Sequence, residues 1–188
     1  MSIHEHFAKS TVLPVRVADV VQFILQKGAV AEIIQVPLDV DTRVLTGGFY
    51  MFRDLAPPYE EAPIIAKIGY PKSAPDAVQR LVKVKEILHI LDPGPARAAT
   101  KDAVSSLIGD LILDEAREEV GLPAAYDHTQ IVSAVAILLP EAALDVLRPM
   151  FKRGDMNAED VAELAKIPVA YVKIALTDEW RNFAKRLR

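Results

Sequence analysis

The sequence contains no cysteine, which excludes disulfide bonds and zinc sites built from thiolates. Any metal ion would therefore need histidine, aspartate or glutamate ligands. The absence of cysteine also suits a cytoplasmic bacterial protein, because disulfides are characteristic of oxidising compartments.

Long apolar runs and an excess of basic charge are also missing. No uninterrupted apolar stretch reaches the roughly 18 residues that indicate a membrane span. The first ten residues lack the basic-then-apolar layout of a signal peptide. The formal net charge is −4 at pH 7, so no global positive field favours nucleic acid. We therefore expect a cytoplasmic protein with no membrane partner.

The hydrophobic pattern predicts an α+β fold. The 188 residues, 51% of them hydrophobic, are enough for one substantial core. Helical spacing over 17–27 is followed by β-branched and aromatic runs at 31–36, 43–52 and 62–70, and after residue 70 the pattern stays helical. This order predicts an N-terminal helix, a small three-stranded sheet and a helical C-terminal half. We divide the chain into a domain over 1–153 and a helical pair over 154–188 that packs on the core.

Capping signals place the later helices. We expect a helix over 76–91, a second from Thr100 to about residue 121, a third capped by Asp127 and Gln130, a fourth opened by Pro140, a short one capped by Asn157, and a last one from Pro168 to the end. Asp127 has two interpretations that stay open: it is a helix cap or a metal ligand.

The stretch QRLVKVKEILHILD, residues 79–92, carries Glu86 and His89 three positions apart on one helix face. In HExxH sites, two histidines four apart bind zinc and the glutamate polarises a zinc-bound water. The first histidine position is Lys85 here, and a protonated lysine cannot ligate a metal. An ordinary hydrogen bond between Glu86 and His89 is the structural alternative.

Two segments resemble motifs of the ImmA/IrrE metallopeptidases, a zincin-like family. RLVKVKEILH (80–89) is similar to R-F-[ST]-x-A-H-E-x-x-H, and DHTQIVSAVAILLP (127–140) is similar to E-x-x-A-N-x-F-A-x-x-L-L-M-P. The resemblance implies a zincin-like domain with Glu86 as general base and zinc bound by His89 and Asp127. His128 would be a substitute ligand if the helix is slightly turned. Lys85 departs from the first zinc histidine.

Two classes of function follow from this resemblance. The first is a non-catalytic regulatory protein of a mobile-element or stress circuit that needs no cofactor and binds a protein partner or an extended peptide. The second is a zinc peptidase that cleaves a repressor-like partner. DNA binding is not expected, because the basic residues of the helix–turn–helix-like tail cluster late, after Trp180. We instead expect Trp180 and Phe183 to dock the C-terminus on the core.

Lys85 itself carries a structural prediction. A charge buried alone is unfavourable, so a buried lysine should pair with a carboxylate. We therefore expect the Lys85 ammonium to lie within hydrogen-bonding reach of Glu86 or Asp127, replacing a metal's charge with its own.

Overall fold

Helices surround a small mixed sheet. The computed structural model describes residues 1–40, 47–55, 61–93 and 122–187. Within these ranges the elements are α1 (Ile3–Phe7), α2 (Val17–Gln26), β1 (Glu32–Leu38), β2 (Gly48–Arg53), β3 (Ile64–Pro71), α3 (Asp76–Leu88) with a 3₁₀ turn at His89–Leu91, α4 (Leu122–Leu138), α5 (Glu141–Arg153), α6 (Ala158–Ala165), α7 (Val169–Ala175) and α8 (Asp178–Ala184) with a 3₁₀ turn at Lys185–Leu187. The predicted α+β class is confirmed.

The sheet has the strand order β1-β3-β2. β1 runs parallel to β3, whereas β2 runs antiparallel to it. The predicted strands at 31–36 and 62–70 are confirmed with small shifts at their ends. The strand predicted over 43–52 begins at Gly48 within the described residues, and positions 43–46 lie outside them. Alternation along β2 turns Phe49 and Met51 towards the core and leaves Tyr50 exposed.

Helix α3 packs against β3, α2 and α4 and therefore lies at the centre of the fold. Val84 and Ile87 on α3 and Ile137 and Leu138 on α4 are completely buried. Each such side chain stabilises the fold by about 1.5–3 kcal/mol. This packing holds the C-terminal half of α3 between the sheet and α4.

Most helix predictions within the described residues are confirmed. α2 ends at Gln26 before Gly28, which has φ of 70°, and α5 follows Pro140. Asn157 caps α6 in a capping box with Asp160. The helix predicted from Thr100 lies outside the described residues.

Two helix boundaries differ from the prediction. Asp127 is not a cap, because α4 begins at Leu122 and the Asp127 side chain is buried inside the protein. The single helix predicted from Pro168 is broken between α7 and α8. Thr177 causes the break, since its hydroxyl donates to the Ile174 carbonyl and accepts from the Trp180 amide.

Three short helices, rather than the predicted pair, therefore follow residue 153. They pack on the core, because Val161, Ala165 and Val172 belong to the same hydrophobic cluster as α3 and α4. Trp180 is buried as predicted, whereas Phe183 is 41% exposed.

Among the described helices, no single one is long and apolar enough to cross a membrane. The helical segments Asp127–Leu138 and Glu141–Arg153, bent by 74° relative to each other, together have the length and composition of a broken membrane span.

Candidate functional site: a buried charge cluster

Five charged or titratable side chains meet between α3, the turn after it and α4. Lys85, Glu86, His89, Asp92 and Asp127 are each no more than 8% exposed. We call these five residues the buried charge cluster. Helical spacing places the first three on one face of α3, and α4 brings the last within contact from 42 positions along the chain.

Lys85 is the centre of the cluster. Its Nζ lies 2.6 Å from Asp127 Oδ1, to which it donates a hydrogen bond, and 2.8 Å from Glu86 Oε1. The contact with Glu86 is an ion pair without hydrogen-bond geometry, because Glu86 Oε1 has no hydrogen-bond partner among the described residues. The predicted pairing of Lys85 is therefore confirmed, and it involves both carboxylates.

His89 bridges two carboxylates. Its Nδ1 lies 2.5 Å from Asp92 Oδ2 and its Nε2 lies 3.3 Å from Asp127 Oδ1. Carboxylate oxygens next to both ring nitrogens favour a ring that donates from both, and the pKa of His89 is raised to about 9 accordingly. Phe49 of β2 stacks on this ring with centroids 5.2 Å apart, and Gln130 Nε2 donates to Asp92 Oδ1 at 2.6 Å.

The pKa values reflect burial opposed by these partners. Burial would lower the pKa of Lys85, but Glu86 and Asp127 outweigh it and hold that pKa above its ordinary value. Burial raises the pKa of Glu86, and Lys85 and His89 offset this only in part. For His89, burial is outweighed by Asp127 and Asp92, which raise its pKa to about 9. For Asp127, burial is outweighed by His89 and Lys85, which lower its pKa to about 2.

The zinc ion that the family resemblance implies does not fit this arrangement. Both nitrogens of His89 already contact carboxylates, and Asp127 Oδ1 already accepts from an ammonium. An ammonium between two carboxylates adds a positive charge where a second one would be repelled. Within the described ranges, no group of three or more His, Asp or Glu side chains is arranged to hold a metal ion.

The structure brings together Lys85, Glu86, His89 and Asp127, but His128 departs from the expectation. Its side chain is exposed, whereas that of Asp127 is buried. A one-residue step turns a side chain by about 100° around a helix, so His128 points in a different direction from Asp127. His128 is therefore not placed to substitute as a ligand at the cluster.

Four contributors were missed at the sequence level. The sequence places Asp92 just beyond a predicted helix and Gln130 in a predicted capping box. Asp92 follows His89 by three positions and Gln130 follows Asp127 by three, so each shares a face with a site residue. Phe49 lies in β2 and Gly47 just before it, and no local pattern connects them to α3.

Gly47 allows the chain before β2 to approach the cluster. A Cβ at this position would lie 2.5 Å from Val82 Cγ1 and 2.6 Å from Glu86 Oε1. We expect Gly47→Ala to lower the free energy of unfolding by about 1–3 kcal/mol, because Val82 is held in the core and cannot retreat. Chemical denaturation measures this change.

Gly48→Ala is the matched control. No atom lies within 4 Å of a Cβ at Gly48, so the substitution should be neutral or slightly stabilising. Equal stabilities for the two variants would contradict the close approach of Gly47 to Glu86.

Comparison with known proteins adds no assignment. No protein-family model matches the chain, and no curated protein matches it. The ImmA/IrrE resemblance thus depends on the two motifs around Glu86 and Asp127.

Proposed function

We propose that the protein is a non-catalytic, cytoplasmic ImmA/IrrE-like module that binds a protein partner or an extended peptide in a mobile-element or stress circuit. The observation that supports this proposal is the Lys85 ammonium, 2.6 Å from Asp127 and 2.8 Å from Glu86. Metal peptidases rely on a Lewis acid that polarises a carbonyl or activates water. An ammonium supplies positive charge but has no open coordination position.

The surroundings of Glu86 support the same proposal. A general base must reach the proton that it removes. Glu86 is 2% exposed, and its Oε1 faces the backbone at Gly47 and the ammonium of Lys85. Its carboxylate therefore stabilises Lys85 rather than facing a substrate.

The edge strand β2 offers a place for an extended partner. Within the described sheet β2 pairs with β3 alone, so it lies at the edge. Tyr50 on this strand is 64% exposed, and its ring stacks on Phe52 at 5.7 Å. An extended peptide can add to such an edge through backbone hydrogen bonds, while exposed aromatic rings contribute side-chain contacts. We propose β2 as the docking strand.

Metal content tests this function against the alternative of a zinc peptidase that cleaves a repressor-like partner. We expect the purified protein to bind no stoichiometric zinc and Lys85→His to acquire zinc binding. The substitution removes the competing ammonium and completes a His, His and Asp set, with Asp92 orienting His89 from behind. Titration followed by elemental analysis measures the stoichiometry.

Lys83→His is the matched control, because it makes the same substitution on the same helix outside the cluster. It should acquire no zinc. Stoichiometric zinc in the parent protein, lost on His89→Ala, would defeat the binding-only proposal and favour the peptidase. Failure of Lys85→His to bind zinc while remaining folded would contradict descent of the cluster from a metal centre.

A further inference from the structure

A second site lies on a different face of α3 from the buried charge cluster. A cavity of about 270 Å³ opens between α2, β1, α3 and the turn after α6. Arg80, Lys83 and Lys166 line it together with one carboxylate, Asp76. The lining therefore carries a net charge of +2 at neutral pH, in a chain whose formal net charge is −4.

The three cations of this cavity have no ion-pair partner among the described residues. No described carboxylate lies within 4 Å of Arg80, Lys83 or Lys166, and Asp76 itself pairs with none of them. Elsewhere Arg148 and Arg181 each contact a carboxylate. Positive charge is thus concentrated at this cavity, where no described carboxylate pairs with the three cations.

Arg80 is held in position without being neutralised. Its Nη2 donates to the Val15 carbonyl, and its Nε is buried with no partner among the described residues. Burial lowers the pKa of the guanidinium, which nevertheless stays charged at neutral pH. The guanidinium therefore keeps at least one N–H donor that no described residue accepts.

The backbone conformation of Lys166 is a second observation that favours a binding site here. Its backbone is left-handed, with φ of 53° and ψ of 49°, and it is the one non-glycine residue with positive φ within the described ranges. Glycine commonly ends a helix in this conformation without strain. A lysine at this position therefore adopts a conformation that is unfavourable for its backbone, and it lines the same cavity as Arg80.

We propose that this cavity binds a small phosphate dianion, either inorganic phosphate or a phosphomonoester. A phosphomonoester carries about −1.5 to −2 charges at pH 7, which matches the lining. Drug-sized ligands occupy about 300–1,000 Å³, so a cavity of about 270 Å³ favours a small ligand. Lys83 lines the cavity, and its Nζ lies 3.8 Å from the centroid of the Tyr70 ring, a contact that it would exchange for one with the anion.

Calorimetric titration at low salt tests the proposal, with inorganic phosphate and glycerol 3-phosphate as probes. We expect saturable binding with a dissociation constant below about 1 mM. Tighter binding of inorganic phosphate would identify the free ion as the ligand, and tighter binding of the ester would identify a phosphomonoester.

Three variants separate binding from folding. Lys166→Gly should relieve the backbone and leave the fold at least as stable, yet weaken binding about tenfold through loss of a charge-assisted hydrogen bond. Lys83→Met should weaken binding to a similar extent. Asp76→Asn should strengthen it, because it removes the one carboxylate among the described lining residues.

Lys173→Met is the control for overall charge, since Lys173 is an exposed lysine paired with Glu159 outside the cavity. It should leave the affinity unchanged. Absence of saturable binding for both probes would overturn the proposal. Binding that is insensitive to Lys166→Gly, Lys83→Met and Asp76→Asn would also overturn it, as an adventitious ion only.

Discussion

Asp127→Asn is expected to lower the free energy of unfolding by about 3–5 kcal/mol. The substitution keeps the shape of the side chain but removes the negative charge between two buried cations. Lys85 Nζ and His89 Nε2 both contact Asp127 Oδ1, and both groups remain buried when that charge is lost. Urea denaturation at pH 7, followed by circular dichroism, measures the change.

Lys85→Met is expected to be milder than Asp127→Asn. Methionine fills a similar volume and carries no charge, while the pKa of Glu86, raised by burial, allows that carboxyl to take up a proton. The double variant completes a mutant cycle, and its loss should be smaller than the sum of the single losses because the two side chains are in contact.

The surface pair of Arg153 and Asp155 provides the matched control. Asp155→Asn makes the same chemical change where the side chain is half exposed, and it should alter stability by no more than about 1 kcal/mol. A comparably small effect for Asp127→Asn would contradict the structural role of the cluster.

Part of the cluster could be predicted from local spacing. Lys85, Glu86 and His89 lie on one face because they share a helix, and helical periodicity is readable in a single sequence. Asp127 is different, since only the resemblance of 127–140 to a family motif connected it with α3. The principle that a buried charge needs a partner then predicts that Lys85 pairs with Glu86 or Asp127.

The rest of the site depends on tertiary packing. The spacing of Asp127 and Gln130 fits a capping box, yet it equally places both on one face inside a helix, and α4 begins five residues earlier. Phe49 and Gly47 meet α3 only because β2 lies at the edge next to it. The break at Thr177 was missed because a hydroxyl that caps a helix looks in sequence like any other polar position.

The second large effect concerns His89 in mild alkali. The protein holds the proton on its ring by two carboxylates, Asp92 and Asp127. Burial opposes that proton, but the carboxylates outweigh burial and raise the pKa of His89 from 6.5 to about 9. Below pH 6.5 the ring is protonated in both folded and unfolded chains, and the full stabilisation is present. As the pH rises towards 9, the unfolded chain releases its proton first and the stabilisation is lost.

We therefore expect the free energy of unfolding to fall between about pH 6.5 and pH 9. The gap between the two pKa values of His89 corresponds to roughly 3 kcal/mol. Urea denaturation across this range measures the fall, and NMR of the imidazole protons should show His89 titrating near 9 in the folded protein.

His89→Gln should be less stable than the parent at pH 6.5, and its stability should be nearly constant up to pH 9, because an amide does not titrate. His128→Gln is the control. His128 follows Asp127 on α4 and is exposed, so this variant should keep the parent's pH dependence. Titration of His89 near 6.5 in the folded protein would contradict the expected result. In a neutral ring, one of the two nitrogens would carry a lone pair that faces a carboxylate oxygen. That contact would be repulsive, whereas the nitrogens lie only 2.5 and 3.3 Å from the oxygens of Asp92 and Asp127. The pH profile thus tests the imidazolium on which both the stability of the cluster and its unsuitability for zinc depend.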